Sequence, residues 1–107
     1  MHEGLFNAAR ADEAWVSSHG ESVSAGNDLV RTMLVDILRA QVTDDELFEK
    51  MVPHFPPFAK RALRDDGRWP NALSSSKVDL VTTPIQEITP SGVRTTDGVE
   101  RTADVLI

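Results

Sequence analysis

Residues 85–107 read IQEITPSGVRTTDGVERTADVLI, and this stretch decides what kind of fold the chain can build. Asp97-Gly98 lies between two short runs containing β-branched residues, 92–95 and 99–102. An Asp-Gly pair flanked in this way is a strong hairpin signal, because glycine accepts the left-handed backbone that a tight turn demands. Ile85 and Ile88, following Pro84, supply a further strand. The alternation of Val78, Leu80 and Thr82 with Asp79 and Val81 predicts one more. The closing residues Ala103-Asp104-Val105-Leu106-Ile107 form an apolar run of the kind that fills a strand buried in a parallel sheet. The expectation is a β-hairpin or meander followed by a terminal strand of an incomplete dinucleotide-binding, Rossmann-like α/β fold, in a chain belonging to a longer architecture.

Working back toward the N-terminus, the apolar period changes from two to 3.6. Leu29, Val30, Met33, Leu34, Ile37 and Leu38 recur on one helical face, with Asn27 placed to cap and Asp28 in the first turn. Thr43 with Glu46 three residues later reads as a capping box, and Pro53 ends the second helix. Residues 1–26 are rich in serine and glycine after Trp15-Val16 and read as a loose arm with one short helix. Three prolines within residues 53–57 remove backbone donors and fix an extended connector. Asp65-Asp66-Gly67 is a turn, followed by a helical turn from Trp69 to Leu73. The organisation expected is therefore an arm over 1–26, a helical segment over 27–52, and an arginine loop plus β-meander over 53–107. As a class this is an α+β fragment.

Composition narrows the function. The 107 residues carry 17 acidic and 11 basic side chains, a net charge of −6, so nucleic acid and anionic membrane are disfavoured as partners. There is no cysteine, hence no disulfide, thiolate nucleophile or cysteine-ligated metal. No stretch approaches the ~20 apolar residues of a membrane span, and the start Met1-His2-Glu3-Gly4-Leu5 lacks the order of a secretory signal, so a cytoplasmic setting is expected.

Within this acidic chain, Lys60, Arg61, Arg64 and Arg68 place four of the eleven positive residues in nine positions. They read as a site for an anion such as a nucleotide phosphate, with Phe55, Phe58 and Trp69 as an apolar wall. The alternative is a solvated turn laced with Arg–Asp pairs. His2, His19 and His54 show no metal-ligand spacing. Asp44-Asp45-Glu46 suits a helix first turn, and Ser74-Ser75-Ser76 has no nucleophile-elbow context. No GxGxxG or Walker loop occurs.

The string PHFPPFAKRALRDDGRWPNAL, followed by VDLVTTPIQEITPSGVRTTDGVERTADVLI, resembles an internal segment of class B flavoprotein monooxygenases, nearest to Baeyer–Villiger monooxygenases of the hydroxyacetophenone monooxygenase type. The resemblance is carried by Lys60-Arg61 after a proline and aromatic loop, the Asp-x-Gly ahead of an aromatic-Pro pair, and the VxLVTxPIxxITPxGVxTxDGxExxADVxI run. It implies FAD and NADPH as cofactors and a flavin C4a-peroxide that converts a ketone to an ester or lactone. It further implies that Arg61 is the catalytic arginine beside flavin and nicotinamide, and that Lys60 meets the 2′-phosphate of NADPH. Adjacent side chains on a non-helical segment point to opposite sides, so one pair can serve two targets. The family's two glycine motifs, its FxGxxxHxxxW-type signature and its Ala-Thr-Gly stretch are absent. Arg68 stands where relatives commonly carry an aromatic residue. Missing nucleotide-binding domains are thus the implied partners, and the isolated chain is expected to be inactive, with neither cofactor bound. Rival readings are a gene remnant, an interaction module using the Leu29/Met33/Ile37 face, or a small nucleotide-phosphate binder.

Overall fold

A computed structural model of the chain describes residues 7–61 and 65–107. After a helical turn at residues 7–9, the described residues form α1 (Glu13–Val16), α2 (Ala25–Gln41), α3 (Asp45–Met51) and α4 (Arg68–Leu73), then a three-stranded sheet of β1 (Ile85–Thr89), β2 (Gly92–Thr95) and β3 (Glu100–Thr102). The class is α+β, with the helical part first and the antiparallel meander after it, as expected from the sequence.

Helices α1, α2 and α3 start on a side-chain cap, although not always the expected one, while α4 is capped by Gly67, which has no side chain to offer. Ser24, in extended conformation, accepts the Asn27 N–H at 3.1 Å and opens α2 three residues earlier than Asn27 would. This leaves the Asn27 side chain free for other partners. Asp44 rather than Thr43 caps α3, its carboxylate accepting from the Leu47 N–H at 2.7 Å. Glu46, released from the expected box, pairs instead with Lys50 one turn on at 2.9 Å. Asp65 accepts from the backbone N–H groups of Arg68 and Trp69 at the start of α4, which packs against α2.

The sheet runs β1-β2-β3 with every pair antiparallel. Ile88 faces Val93 and Val93 faces Arg101, with a register irregularity between Ile85 and Glu87. Gly98, at φ 83°, turns β2 into β3 as the Asp-Gly pair requires. Asp97 accepts from the Thr95 hydroxyl and the Val99 N–H, which holds its carboxyl below the usual aspartate range. Glu100 accepts from the Ser91 and Thr89 hydroxyls and is lowered for the same reason. Thr95, 1% exposed, also accepts from the Arg101 guanidinium at 2.6 Å.

Two expected strands do not pair. Residues 78–84 are irregular, and 103–107 make no strand ladder, with Val105 and Leu106 exposed. A strand exists only where a neighbour pairs with successive backbone groups, and among the described residues these segments have isolated bonds alone: Val78 N–H to the Ser75 carbonyl, Thr96 N–H to the Pro84 carbonyl and Ala103 N–H to the Ser91 carbonyl. No parallel ladder is present among the described residues. No helix among them is long and apolar enough to cross a membrane.

The apolar core is small: Ala8, Val42 and Leu73 are the buried hydrophobic side chains among the described residues, while Leu29, Met33 and Ile37 are each more than half exposed. The radius of gyration is 17.3 Å, against about 13 Å for a compact chain of this length.

Gly92 provides a direct test of the sheet. A Cβ placed there would lie 1.9 Å from the Arg101 carbonyl oxygen, so Gly92→Ala should break the β2–β3 pairing. Gly20→Ala, with nothing within 4 Å, should not. Cross-strand NOEs between residues 93 and 101 read the difference, and their survival in Gly92→Ala would refute this register.

Candidate anion-binding loop

The connector over residues 53–61 carries Lys60 and Arg61, and its chemistry begins with what proline removes. Pro53, Pro56 and Pro57 donate no backbone hydrogen bond, so the loop cannot build a ladder of its own, and the Pro53 and Pro57 carbonyls are met by donors from outside it. Helix α2 supplies two. The Asn27 amide donates to the Pro57 carbonyl at 3.2 Å, and Arg31, one turn later on the same face, donates to the Pro53 carbonyl at 3.3 Å. Asn27 is fully buried, and its amide oxygen accepts from the Val23 N–H at 3.1 Å. Arg31 also pairs with Glu21 at 2.7 Å, and the second oxygen of Glu21 lies 2.8 Å from Nδ1 of His54. Arm, helix and loop thus meet at one carboxylate. Its pKa is held below the usual glutamate range, first by the His54 hydrogen bond and then by the Arg31 charge, against partial burial.

Past this anchor the loop turns sharply. Ala59 N–H bonds back to the Pro56 carbonyl at 3.1 Å, and Phe58 takes φ 69°, the left-handed region that a bulky side chain occupies only when its surroundings force it. Lys60 follows with its ammonium 4.6 Å from the centre of the Phe55 ring. Both Lys60 and Arg61 are exposed.

Arg61 borders an apolar groove of about 510 Å³ formed by Leu34, Val35 and Leu38 of α2 with Met51, Phe55 and Trp69. A second hollow of about 290 Å³ shares Leu34, Phe55 and Arg61 and adds Phe58 and Lys60. The three aromatic residues expected as a wall therefore do line these hollows, with the two cations among them. A third cleft, about 240 Å³, is bordered by Asp44, Glu46 and Asp79 beside Lys50. Its mainly acidic lining repels anions, whereas the other two hollows carry Arg61, joined in the smaller one by Lys60.

The basic cluster read from sequence divides. Lys60 and Arg61 stand together on the loop; Arg64 lies outside the described residues. Arg68 is on α4 with its Nε 3.2 Å from Asp66, the solvated Arg–Asp arrangement. No group of three metal-ligating side chains occurs among the described residues. What sequence reasoning missed is the support: Asn27, Arg31, Glu21 and His54. The available signal was the matching spacing of Asn27/Arg31 and Pro53/Pro57, four residues in each case.

Comparison with known proteins gives two relatives. The chain is 31% identical over 108 residues to "Uncharacterized monooxygenase y4iD" of Sinorhizobium fredii, a match covering all of this chain and 15% of that protein. It is 38% identical over 71 residues to "FAD-binding monooxygenase ktnD" of Aspergillus niger, covering 65% of this chain and 11% of that protein. No protein-family model and no solved structure matches. The chain is thus similar to monooxygenases, one of them FAD-binding by name, and spans a small fraction of their length.

The Glu21 anchor should respond to acid. A lowered carboxyl pKa contributes stability that is complete above the ordinary glutamate range and is lost as the pH falls through the lowered value. NOEs between the side chains of Glu21 and His54 should therefore be present at neutral pH and vanish on acidification below the carboxylate range. In Glu21→Gln this acid-side transition should be missing; its persistence there would assign it to another group.

Proposed function

We propose that this chain is a segment of an FAD- and NADPH-dependent monooxygenase of the Baeyer–Villiger type, acting on a ketone to give an ester or lactone. The observation that carries the reading is the exposed Lys60-Arg61 pair, held on a strained, clamped loop beside an apolar aromatic groove, in a chain similar over its whole length to a monooxygenase. Bound flavin and nicotinamide would supply the oxygen activation and the hydride.

The contribution of this chain's own residues is electrostatic. Arg61 offers a planar guanidinium at the rim of a low-dielectric groove, where a fixed positive charge stabilises developing negative charge more strongly than it would in water. Lys60 offers a compact ammonium, the right chemistry for the extra phosphate that distinguishes NADPH from NADH. These two residues fit the edges of the cofactors. Their pyrophosphates need a backbone cradle, and the sequence contains no glycine-rich loop to make one. In this reading the nucleotide-binding domains are partners outside residues 1–107, and the isolated chain turns over nothing.

The test is a chimera in which residues 1–107 replace the matching segment of the Sinorhizobium relative. It should bind FAD and oxidise NADPH. Lys60→Ala should reduce the preference for NADPH over NADH at least about tenfold, the loss of one charge-assisted hydrogen bond, with FAD retained. Arg61→Ala should keep FAD and NADPH binding and lose oxygenated product. A chimera that retains FAD while Lys60→Ala leaves the coenzyme preference unchanged would overturn the assignment of Lys60. Unaltered product formation in Arg61→Ala would do the same for Arg61.

A further inference from the structure

The loop that carries Lys60 and Arg61 is held by side chains some thirty residues earlier in the chain, none of which lies beside either cation. We infer that Asn27 and Arg31 are positioning residues: by donating to the Pro57 and Pro53 carbonyls they fix the turn that aims Lys60 and Arg61. Its bearing on cofactor recognition rests on the function proposed above; its geometry does not.

Three features make this more than ordinary packing. First, Asn27 is wholly buried in the first turn of α2, yet it is not the helix cap, which is Ser24. A buried carboxamide with no role would cost stability, and this one is satisfied at both ends by other segments, the arm through Val23 and the loop through Pro57. Second, the residue immediately after the Asn27 contact is Phe58, the sole non-glycine residue at positive φ among those described. That conformation persists only if its neighbours on the chain are fixed, and the Pro57 carbonyl is the nearest fixed point. Third, Arg31 grips the other end of the same proline run and is itself fixed by Glu21, so the loop is held at two points four residues apart. With both ends fixed, the short path from Pro57 leaves Lys60 over the Phe55 ring and Arg61 at the groove.

The full 107-residue chain provides the test by NMR. Two reporters lie on the loop: the upfield ring-current displacement of the Lys60 ε-methylene protons above Phe55, and the exchange rate of the Ala59 amide. Asn27→Asp retains an acceptor for the Val23 N–H but removes the donor to Pro57. It should abolish the Lys60 displacement and speed Ala59 exchange about tenfold, the equivalent of one lost hydrogen bond. Ser24→Ala weakens the same helix through its cap without touching the loop, and should change neither reporter. If Asn27→Asp leaves both reporters in place, or Ser24→Ala moves them equally, the inference is wrong. Should Asn27→Asp lose its helix by circular dichroism, Arg31→Met decides: its Lys60 displacement is lost if the inference is right and retained if it is wrong. Because both signals are read without cofactor, this inference can fail while the coenzyme preference of the chimera stands, and the reverse.

Discussion

A run of prolines gains rigidity at the expense of backbone donors, and the carbonyls it retains then depend on side chains elsewhere. Here that dependence is met by one face of one helix. Asn27 and Arg31 are a single turn apart on α2, and the carbonyls they reach, Pro57 and Pro53, are separated by the same number of residues along the loop. Removing the Asn27 donor would leave the part-buried Pro57 carbonyl unpaired, which costs about 1–3 kcal/mol for a buried group, whereas the exposed Pro53 carbonyl can turn to water when Arg31 is lost. The strained Phe58, the stacking of Lys60 on Phe55 and the place of Arg61 all follow from where those two carbonyls are held.

The same helix presents a second face that the chain does not cover. Leu29, Met33 and Ile37 fall four residues apart and are open to solvent, as are Ile85 and Ile88 on the sheet. The accessible surface of 8590 Å² exceeds the roughly 5,900 Å² expected of a compact monomer of this mass. The excess, about 2,700 Å², is surface that a compact chain of this mass would have withdrawn from water. With so little apolar surface withdrawn from water, the folded form has little hydrophobic gain to set against chain entropy. Local hydrogen-bonded devices, the caps of Ser24 and Asp44, the Asp65 bonds to the first N–H groups of α4 and the Thr95–Asp97 turn, therefore matter more here than in a chain with a large core.

This explains which parts of the structure were legible in the sequence. Elements set by local chemistry could be read directly: the Asp97-Gly98 hairpin, because glycine alone suits its turn, and α2, because its apolar period is sustained over several turns. The caps were misplaced by one to three residues, since Ser24 and Asn27, or Thr43 and Asp44, are chemically near-equivalent acceptors and only the backbone path decides between them. The strands expected over 78–82 and 103–107 failed for a different reason. Apolar alternation marks a segment able to pair, while pairing itself needs a neighbour that sequence inspection of the segment does not supply. The Lys60-Arg61 pair was visible as a charge cluster. Its support was not, because the one trace of a bond joining residues 27 and 57 is the shared four-residue spacing of Asn27/Arg31 and Pro53/Pro57, which no local rule singles out.

The position of the two cations on a non-helical loop has an electrostatic consequence that a helix could not reproduce. On a helix, neighbouring residues diverge by about 100°, and a Lys-Arg pair shares one solvated flank. On this loop Lys60 lies against Phe55 and shares the smaller hollow with Arg61, while Arg61 alone of the two also borders the larger groove, so the two charges meet at one hollow and part at the other. The chain around them is acidic, at −6 overall, which keeps anions from settling elsewhere on its surface and makes the loop a local positive exception. Screening weakens charges beyond about 8–10 Å in physiological salt, so this exception can select an anion only at contact range. Selection at contact range requires fixed geometry, and fixed geometry is what the two proline carbonyls, held from α2, provide.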